Sequence, residues 1–194
     1  YEHILPPDTP PATPPPATPP PALPPGYRPK YCGHECAVLV GLRAVSANLT
    51  KAWPINATHG VCGWEGVRCS RKGEVRSLNL TARGLVGTLP SEIAVLENLE
   101  ALTVSHNELA GEIPTELAAL KKLETLDLSD NSLSGVLPSE LGELQALRNV
   151  DVSSNEVLGA VPPSICGILR GAIAWATDVP LGCKLVKEAR RKRK

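Results

Sequence analysis

Leu99-Glu-Ala-Leu102-Thr-Val104-Ser-His-Asn107-Glu-Leu109-Ala-Gly111-Glu-Ile113-Pro114 is followed, 24 residues on, by Leu123-Glu-Thr-Leu126-Asp-Leu128-Ser-Asp-Asn131-Ser-Leu133-Ser-Gly135-Val-Leu137-Pro138. The same phrase is written four times between Val75 and Arg170. Its register is marked by Gly87, Gly111, Gly135 and Gly159, each followed three residues later by Pro90, Pro114, Pro138 or Pro162. Apolar columns keep the phase: Val75, Leu99, Leu123 and Leu147; Leu78, Leu102, Leu126 and Val150; Leu80, Val104, Leu128 and Val152. Three more follow: Leu85, Leu109, Leu133 and Val157; Ile93, Leu117, Leu141 and Ile165; Leu96, Leu120, Leu144 and Ile168. A fixed period of this length means a solenoid, because no single unit can bury its own apolar face and only stacking makes a core.

Within each unit, the alternation in Leu123-Glu-Thr-Leu126-Asp-Leu128-Ser predicts a strand. Asn131 to Pro138 turns the chain, and Ser139 to Leu144 opens on a capping-type serine and returns as a short helix or 3₁₀ turn. Asn107, Asn131 and Asn155 share one position, where an amide can bond backbone groups on both sides of the turn. Arg83 holds that slot in the first unit, which marks the unit as atypical.

The 194 residues carry no net formal charge, but unevenly. Lys184 to Lys194 holds seven basic residues and one acidic one, so the tail is at +6 and the rest of the chain at −6. Phe and Met are absent, which leaves an aliphatic core. With no initiator Met, the start at Tyr1 reads as a processed form or a fragment. No run of 18 apolar residues is present, so no membrane span is predicted. Six Cys and three sequons, at Asn48, Asn56 and Asn79, together favour an oxidising, secretory route.

Ahead of the repeats, Pro6 to Pro29 contains thirteen prolines in 24 residues, with Thr-Pro-Pro-Pro-Ala duplicated at Thr13 and Thr18. Such a segment prefers extended polyproline II and would be a rod of roughly 70 Å. It reads as a spacer, a docking ligand or a wall segment with Thr9, Thr13 and Thr18 as O-glycosylation candidates. Residues 31–74 form an N-terminal cap. There Ala37, Val38, Val40, Leu42 and Val45 line a short helix that Asn48 interrupts, while Trp53 and Trp64 plug the open end of the stack. The short loop from Cys62 to Cys69 predicts that these two pair. Cys32-Gly-His-Glu-Cys36 is either a local or cap disulfide or part of a metal site, although a closed zinc site normally needs four ligands.

The pattern Leu-x-x-Leu-x-Leu-x-x-Asn-x-Leu-x-Gly-x-Ile-Pro resembles the plant-type extracellular leucine-rich repeat. Trp53, Cys62, Trp64, Gly66, Val67 and Cys69 are similar to the N-terminal cap of that family. The family includes receptor-kinase ectodomains, polygalacturonase-inhibiting proteins and wall-bound extensin chimeras. Two departures stand out: family members usually carry more repeats, and the chimeras place their proline-rich part after the repeats. The fold expected is therefore an α/β solenoid: a short right-handed leucine-rich-repeat stack of about four 24-residue repeats (75–170). Disulfide-bonded caps close it, and a proline-rich segment (1–30) in polyproline II precedes it. A C-terminal cap (171–185), tied by Cys166 and Cys183, uses Ile165, Ile168, Leu169, Ala172 and Trp175, and a basic tail (186–194) ends the chain.

No catalytic or cofactor-binding constellation is legible. The four His are scattered, and phosphate-loop, zincin and nucleophile-elbow motifs are missing. Asp127 and Asp151 should neighbour each other at about 4.8 Å, near the separation of a glycosidase pair, but on an open sheet that gives them no pocket. The chain reads as a non-enzyme, a non-catalytic extracellular interaction and assembly module of a cell surface, wall or matrix. Its outward strand columns supply the concave-face binding candidates Thr103, Thr125, Asp127, Asp130, Asn149 and Asp151, within rows that also hold Thr81, Ser105, Ser129 and Ser153. The partners expected are other extracellular proteins or wall and matrix glycoproteins, with the basic tail suited to acidic polysaccharide and no nucleic acid involved. The principal alternatives are a receptor or co-receptor ectodomain and an inhibitor of wall-degrading enzymes. Four strands of five residues offer only about 300 Å², against roughly 800 Å² per partner in a standard interface. Flanks, caps and ends are therefore expected to contribute.

Overall fold

A computed structural model describes residues 35–44, 46–53, 60–168 and 173–174. The proline-rich segment, Cys32, His34, Asn56, Trp175, Cys183 and the basic tail lie outside the described residues, as do Val45, Leu169 and Ala172.

The N-terminal cap begins with α1 (Glu35–Ala44), which buries Val38, Leu39, Val40 and Leu42 against the start of the stack. Ser46 then starts a second helix, α2 (Ala47–Ala52). With its backbone extended at φ −142°, its Oγ accepts the Leu49 N–H at 3.2 Å and donates to the Arg83 carbonyl at 2.6 Å. One hydroxyl thus caps the helix and ties it to the first repeat. Asn48 consequently lies inside a helix and does not interrupt one, because the break is set by the cap at Ser46. Trp53 and Trp64 are buried and stacked, with ring centres 4.9 Å apart. The Trp53 indole N–H donates to the Glu65 carbonyl at 2.8 Å, so the polar edge of the plug is satisfied.

After a 3₁₀ turn at Gly60–Gly63 comes β1 (Val67–Cys69), and Cys62 and Cys69 are joined by a disulfide. The remaining strands are β2 (Val75–Asn79), β3 (Val86–Thr88), β4 (Ala101–Thr103), β5 (Glu108–Glu112), β6 (Thr125–Asp127), β7 (Ser132–Ser134), β8 (Asn149–Asp151) and β9 (Ile173–Ala174). They form two sheets. The larger has the order β1-β2-β4-β6-β8-β9, parallel except for β1, with Leu78, Leu102, Leu126 and Val150 in one register line. The smaller sheet, β3-β5-β7, is parallel and pairs residues 22 apart, such as Thr88 with Ala110 and Ala110 with Ser132.

The second sheet corrects the reading of that stretch as a plain turn. Gly87, Gly111 and Gly135 take φ between +76° and +84° at these strands, so each coil bends sharply and still pairs with its neighbours. The return segments, Ser91–Val95, Thr115–Ala119 and Ser139–Glu143, are single 3₁₀ turns. Their N-caps are Pro90, Pro114 and Pro138, whose carbonyls accept the amides of Ile93, Leu117 and Leu141. Ser139 therefore does not cap: proline's fixed φ and free carbonyl start the turn. Among the described residues, the expected α/β character narrows to strands and 3₁₀ turns, with α-helix only in the caps.

All six apolar columns are buried where their side chains are described, and a seventh joins them: Leu89, Ile113, Leu137 and Val161. Each fully buried leucine contributes about 1.5–3 kcal/mol.

At the far end, α3 (Pro163–Ile168) packs on the last 3₁₀ turn, and Ile165 and Cys166 are buried. Cys166 is disulfide-bonded. The equivalent positions in successive turns are Ala94, Ala118 and Gly142. A Cβ built at Gly142 would lie 2.3 Å from the Ser164 Cβ, so the missing methyl is what lets α3 seat, and Ser164 Oγ then donates to the Ser139 carbonyl at 2.9 Å. Gly142→Ala should cost about 1–3 kcal/mol through this overpacking, and hydrogen exchange should speed up first in 161–168. Equal exchange in both proteins would refute the seating role.

Candidate functional site

The candidate site is the outward face of the six-stranded sheet. It is wider than the repeats alone provide, because β1 and β9 of the caps extend it at both edges. Among the predicted residues, Thr103, Thr125, Asp127, Asp130 and Asp151 are half-buried and Asn149 is exposed. They form one surface. Ser105 and Ser129 are corrected: they are buried, at 4% and 8% exposure, and support the sheet instead of facing a partner.

Asp127 and Asp151 are register neighbours, but each carboxylate is held by its own turn. Asp127 Oδ1 accepts the Ser129 N–H at 3.1 Å and its hydroxyl at 2.7 Å; Asp151 Oδ1 accepts the Ser153 N–H at 2.9 Å and its hydroxyl at 2.6 Å. Asn79 makes the same motif with Thr81, at 3.1 and 2.8 Å. These Asx turns fix where the carboxylates stand and aim neither at the other. Ala82, His106, Asp130 and Ser154, one per coil, then adopt φ between +51° and +56°, and the chain leaves the strand. His106 Nδ1 lies 3.5 Å from Asp130 Oδ2.

Behind the face runs the asparagine ladder. Asn107 Oδ1 accepts the Arg83 and Leu85 amides, and its Nδ2 donates to the Leu80, Val104 and Ser105 carbonyls. Asn131 and Asn155 repeat the three donated bonds one and two coils on, and their Oδ1 atoms each accept one amide, from Leu109 and Leu133.

One outward column escaped the sequence reading: Arg76, Glu100, Glu124 and Arg148. Arg76 pairs with Glu100, and Arg148 Nε lies 3.3 Å from Glu124 Oε2. The signal was present as charges spaced by 24. Two Arg and two Glu make this column neutral, so the acidity of the face comes from Asp127, Asp130 and Asp151.

At the cap edge, Arg83 Nη2 donates to Glu65 Oε1 at 2.6 Å. This hydrogen bond, reinforced by the guanidinium charge, holds the Glu65 carboxyl below its usual range. Its proton is therefore bound more weakly when folded than when unfolded. The resulting stability is present above the unfolded carboxyl's pKa and is lost as pH falls through the depressed value. Glu65→Gln should flatten that part of the acid limb in pH-dependent melts, and added salt should shrink the difference, because the pair is solvent-exposed.

Among the described residues, no cluster of three or more His, Cys, Asp or Glu is placed to hold a metal ion. Also among them, no helix is long and apolar enough to cross a membrane.

Residues 97–157 match the family model described as leucine rich repeat. The chain is 45% identical over 77 residues to MDIS1-interacting receptor like kinase 1 of Arabidopsis thaliana, covering 38% of this chain and 8% of that protein. It therefore spans a small fraction of the curated relatives' length. It superposes on the ectodomain of BIR2 from Arabidopsis thaliana with TM-score 0.64 and 29% identity, over 74% of this chain and 82% of that one. A BIR3–SERK2 complex from the same plant gives TM-score 0.64 and 26% identity, over 74% and 84%. The repeats are thus similar to those of plant leucine-rich-repeat receptor ectodomains. The BIR2 match also shows that a solenoid nearly this short occurs among them.

Proposed function

We propose that this chain is a non-catalytic extracellular binding module that docks a second leucine-rich-repeat ectodomain on the outward face of its six-stranded sheet. The observation carrying this reading is the face itself: fixed columns of Thr, Asn and Asp, braced from behind by buried Ser and part-buried Asn, with the caps adding a strand at each side. Such preorganisation limits the ordering cost of association. The six strands hold nineteen residues, which at strand spacing give roughly 300 Å², below the ~800 Å² a stable partner covers. The contact therefore extends over cap residues. The acidic columns favour a partner that presents Arg or Lys.

The similarity to a BIR3–SERK2 complex supplies a first probe, SERK2. Thr125→Arg on the face should weaken binding at least tenfold in biolayer interferometry, whereas Glu143→Arg on the returning turns should not. Equal affinity for both variants would remove the face from the interface. A role in wall or matrix assembly is favoured instead by the proline-rich segment 1–30 and the basic tail 186–194. It predicts retention on wall pectin that is lost when the tail is deleted.

A further inference from the structure

The Asx turn at the end of the strands recurs at 79–81, 127–129 and 151–153, and in each the side-chain oxygen accepts from the amide and hydroxyl two residues on. Only the first copy has an amide in place of a carboxylate. Asn79 spends Oδ1 on Thr81, is exposed, and stands on the outward face beside cap strand β1. Its Nδ2 is the one nitrogen in the three turns to which a sugar can be joined. At the other described sequon, Asn48 Nδ2 faces the Gly84 backbone, 3.1 Å from the place of a Cβ there.

We propose that Asn79 carries an N-linked glycan at the N-terminal edge of the sheet, outside a partner contact that lies on the side of β6 and β8. The inference rests on the extracellular reading above. In the transfer, Asn79 Nδ2 attacks C1 of a lipid-diphosphate-linked oligosaccharide. The Nδ2–C1 bond forms, the C1–O bond to the diphosphate breaks, the lipid diphosphate leaves and one amide proton goes to solvent. Asp127 and Asp151 lie about 10 and 14 Å from Asn79 by strand spacing. The glycan therefore overhangs one side of the face and leaves the other open.

The consequence is positional. Asp127→Asn would turn Asp127-Leu128-Ser129 into a sequon on the same turn, in the middle of the face. The full chain is secreted from plant cells and digested with trypsin, which releases Ser77–Arg83 between Arg76 and Arg83 as a peptide with a single sequon. Enzymatic deglycosylation in heavy-oxygen water should convert Asn79 to a labelled Asp in most of that peptide. SERK2 binding should be unchanged by Asn79→Gln but reduced at least tenfold by the glycan gained in Asp127→Asn, and enzymatic deglycosylation, which leaves Asp at 127, should restore it. A secreted, oxidised chain with unmodified Asn79 overturns this proposal and leaves the binding reading intact. So does a glycosylated chain whose binding rises tenfold on Asn79→Gln, since the glycan would then cover the contact. A chain recovered reduced, with no glycan at any sequon, would overturn the extracellular reading as well.

Discussion

Gly66→Ala should lower the stability of the folded chain by about 2–5 kcal/mol, the largest loss expected from adding a single methyl. Two causes add. Gly66 sits at φ +83°, where an L-residue is strained, and a Cβ built on it would lie 2.1 Å from the Asn79 carbonyl oxygen. That oxygen belongs to backbone: the Asn79 N–H donates to the Gly66 carbonyl at 2.8 Å, so β1 and β2 are drawn together at this point. No side-chain rotation relieves the clash. The cap strand must part from the first repeat, exposing Trp53 and Trp64. Gly73→Ala is the control, since Gly73 has φ +85° but nothing within 4 Å of the added carbon. It should lose only the conformational part, about 1–2 kcal/mol. Urea denaturation followed by tryptophan fluorescence measures both, and equal losses would show that the close approach carries no weight.

Asn131→Ala should cost about 2–4 kcal/mol, because a part-buried amide with four backbone partners disappears and nothing replaces it. The Leu109 amide loses its acceptor at 3.0 Å, and the Val104, Leu128 and Ser129 carbonyls each lose a donor. The Val104 carbonyl also receives Asn107 Nδ2 and the Leu128 carbonyl also receives Asn155 Nδ2, so the three amides form one continuous ladder with Asn131 in the middle. Asn131→Asp keeps an acceptor for Leu109 but offers no donors and sets a charge against the carbonyls, so it should fare no better. Ser132→Ala, one residue on and exposed, should change stability by under about 0.5 kcal/mol. Hydrogen exchange at Leu109 reports the ladder directly. Protection that persists in Asn131→Ala would mean another group supplies the acceptor.

Much of the stack was legible because solenoid packing is local and repetitive. Leu102 predicts Leu126 since both fill equivalent places one coil apart, and the slot of Asn107, Asn131 and Asn155 was visible for the same reason. Chemistry that depends on non-repeating contacts was harder to read. The second sheet stayed hidden because its pairing is offset by 22 residues and its strands include glycines that normally signal turns. The burial of Ser105 and Ser129 was missed because strict alternation assigns them outward, whereas the strands span only three residues before the chain curls at His106 and Asp130. Gly142, where earlier coils have Ala94 and Ala118, is required only because α3 rests on it.

By itself the sequence determined the repeat, its register, the apolar columns and the asparagine slot, since each follows from a period that nearest-neighbour stacking imposes. Tertiary structure alone decided how the ends are closed: Ser46 bonding to Arg83, Gly66 beneath Asn79, and β9 added beside β8. Each of these joins residues from unlike segments, where no periodicity predicts the partner. They also set the width of the face that a partner would meet and the side of it that Asn79 occupies.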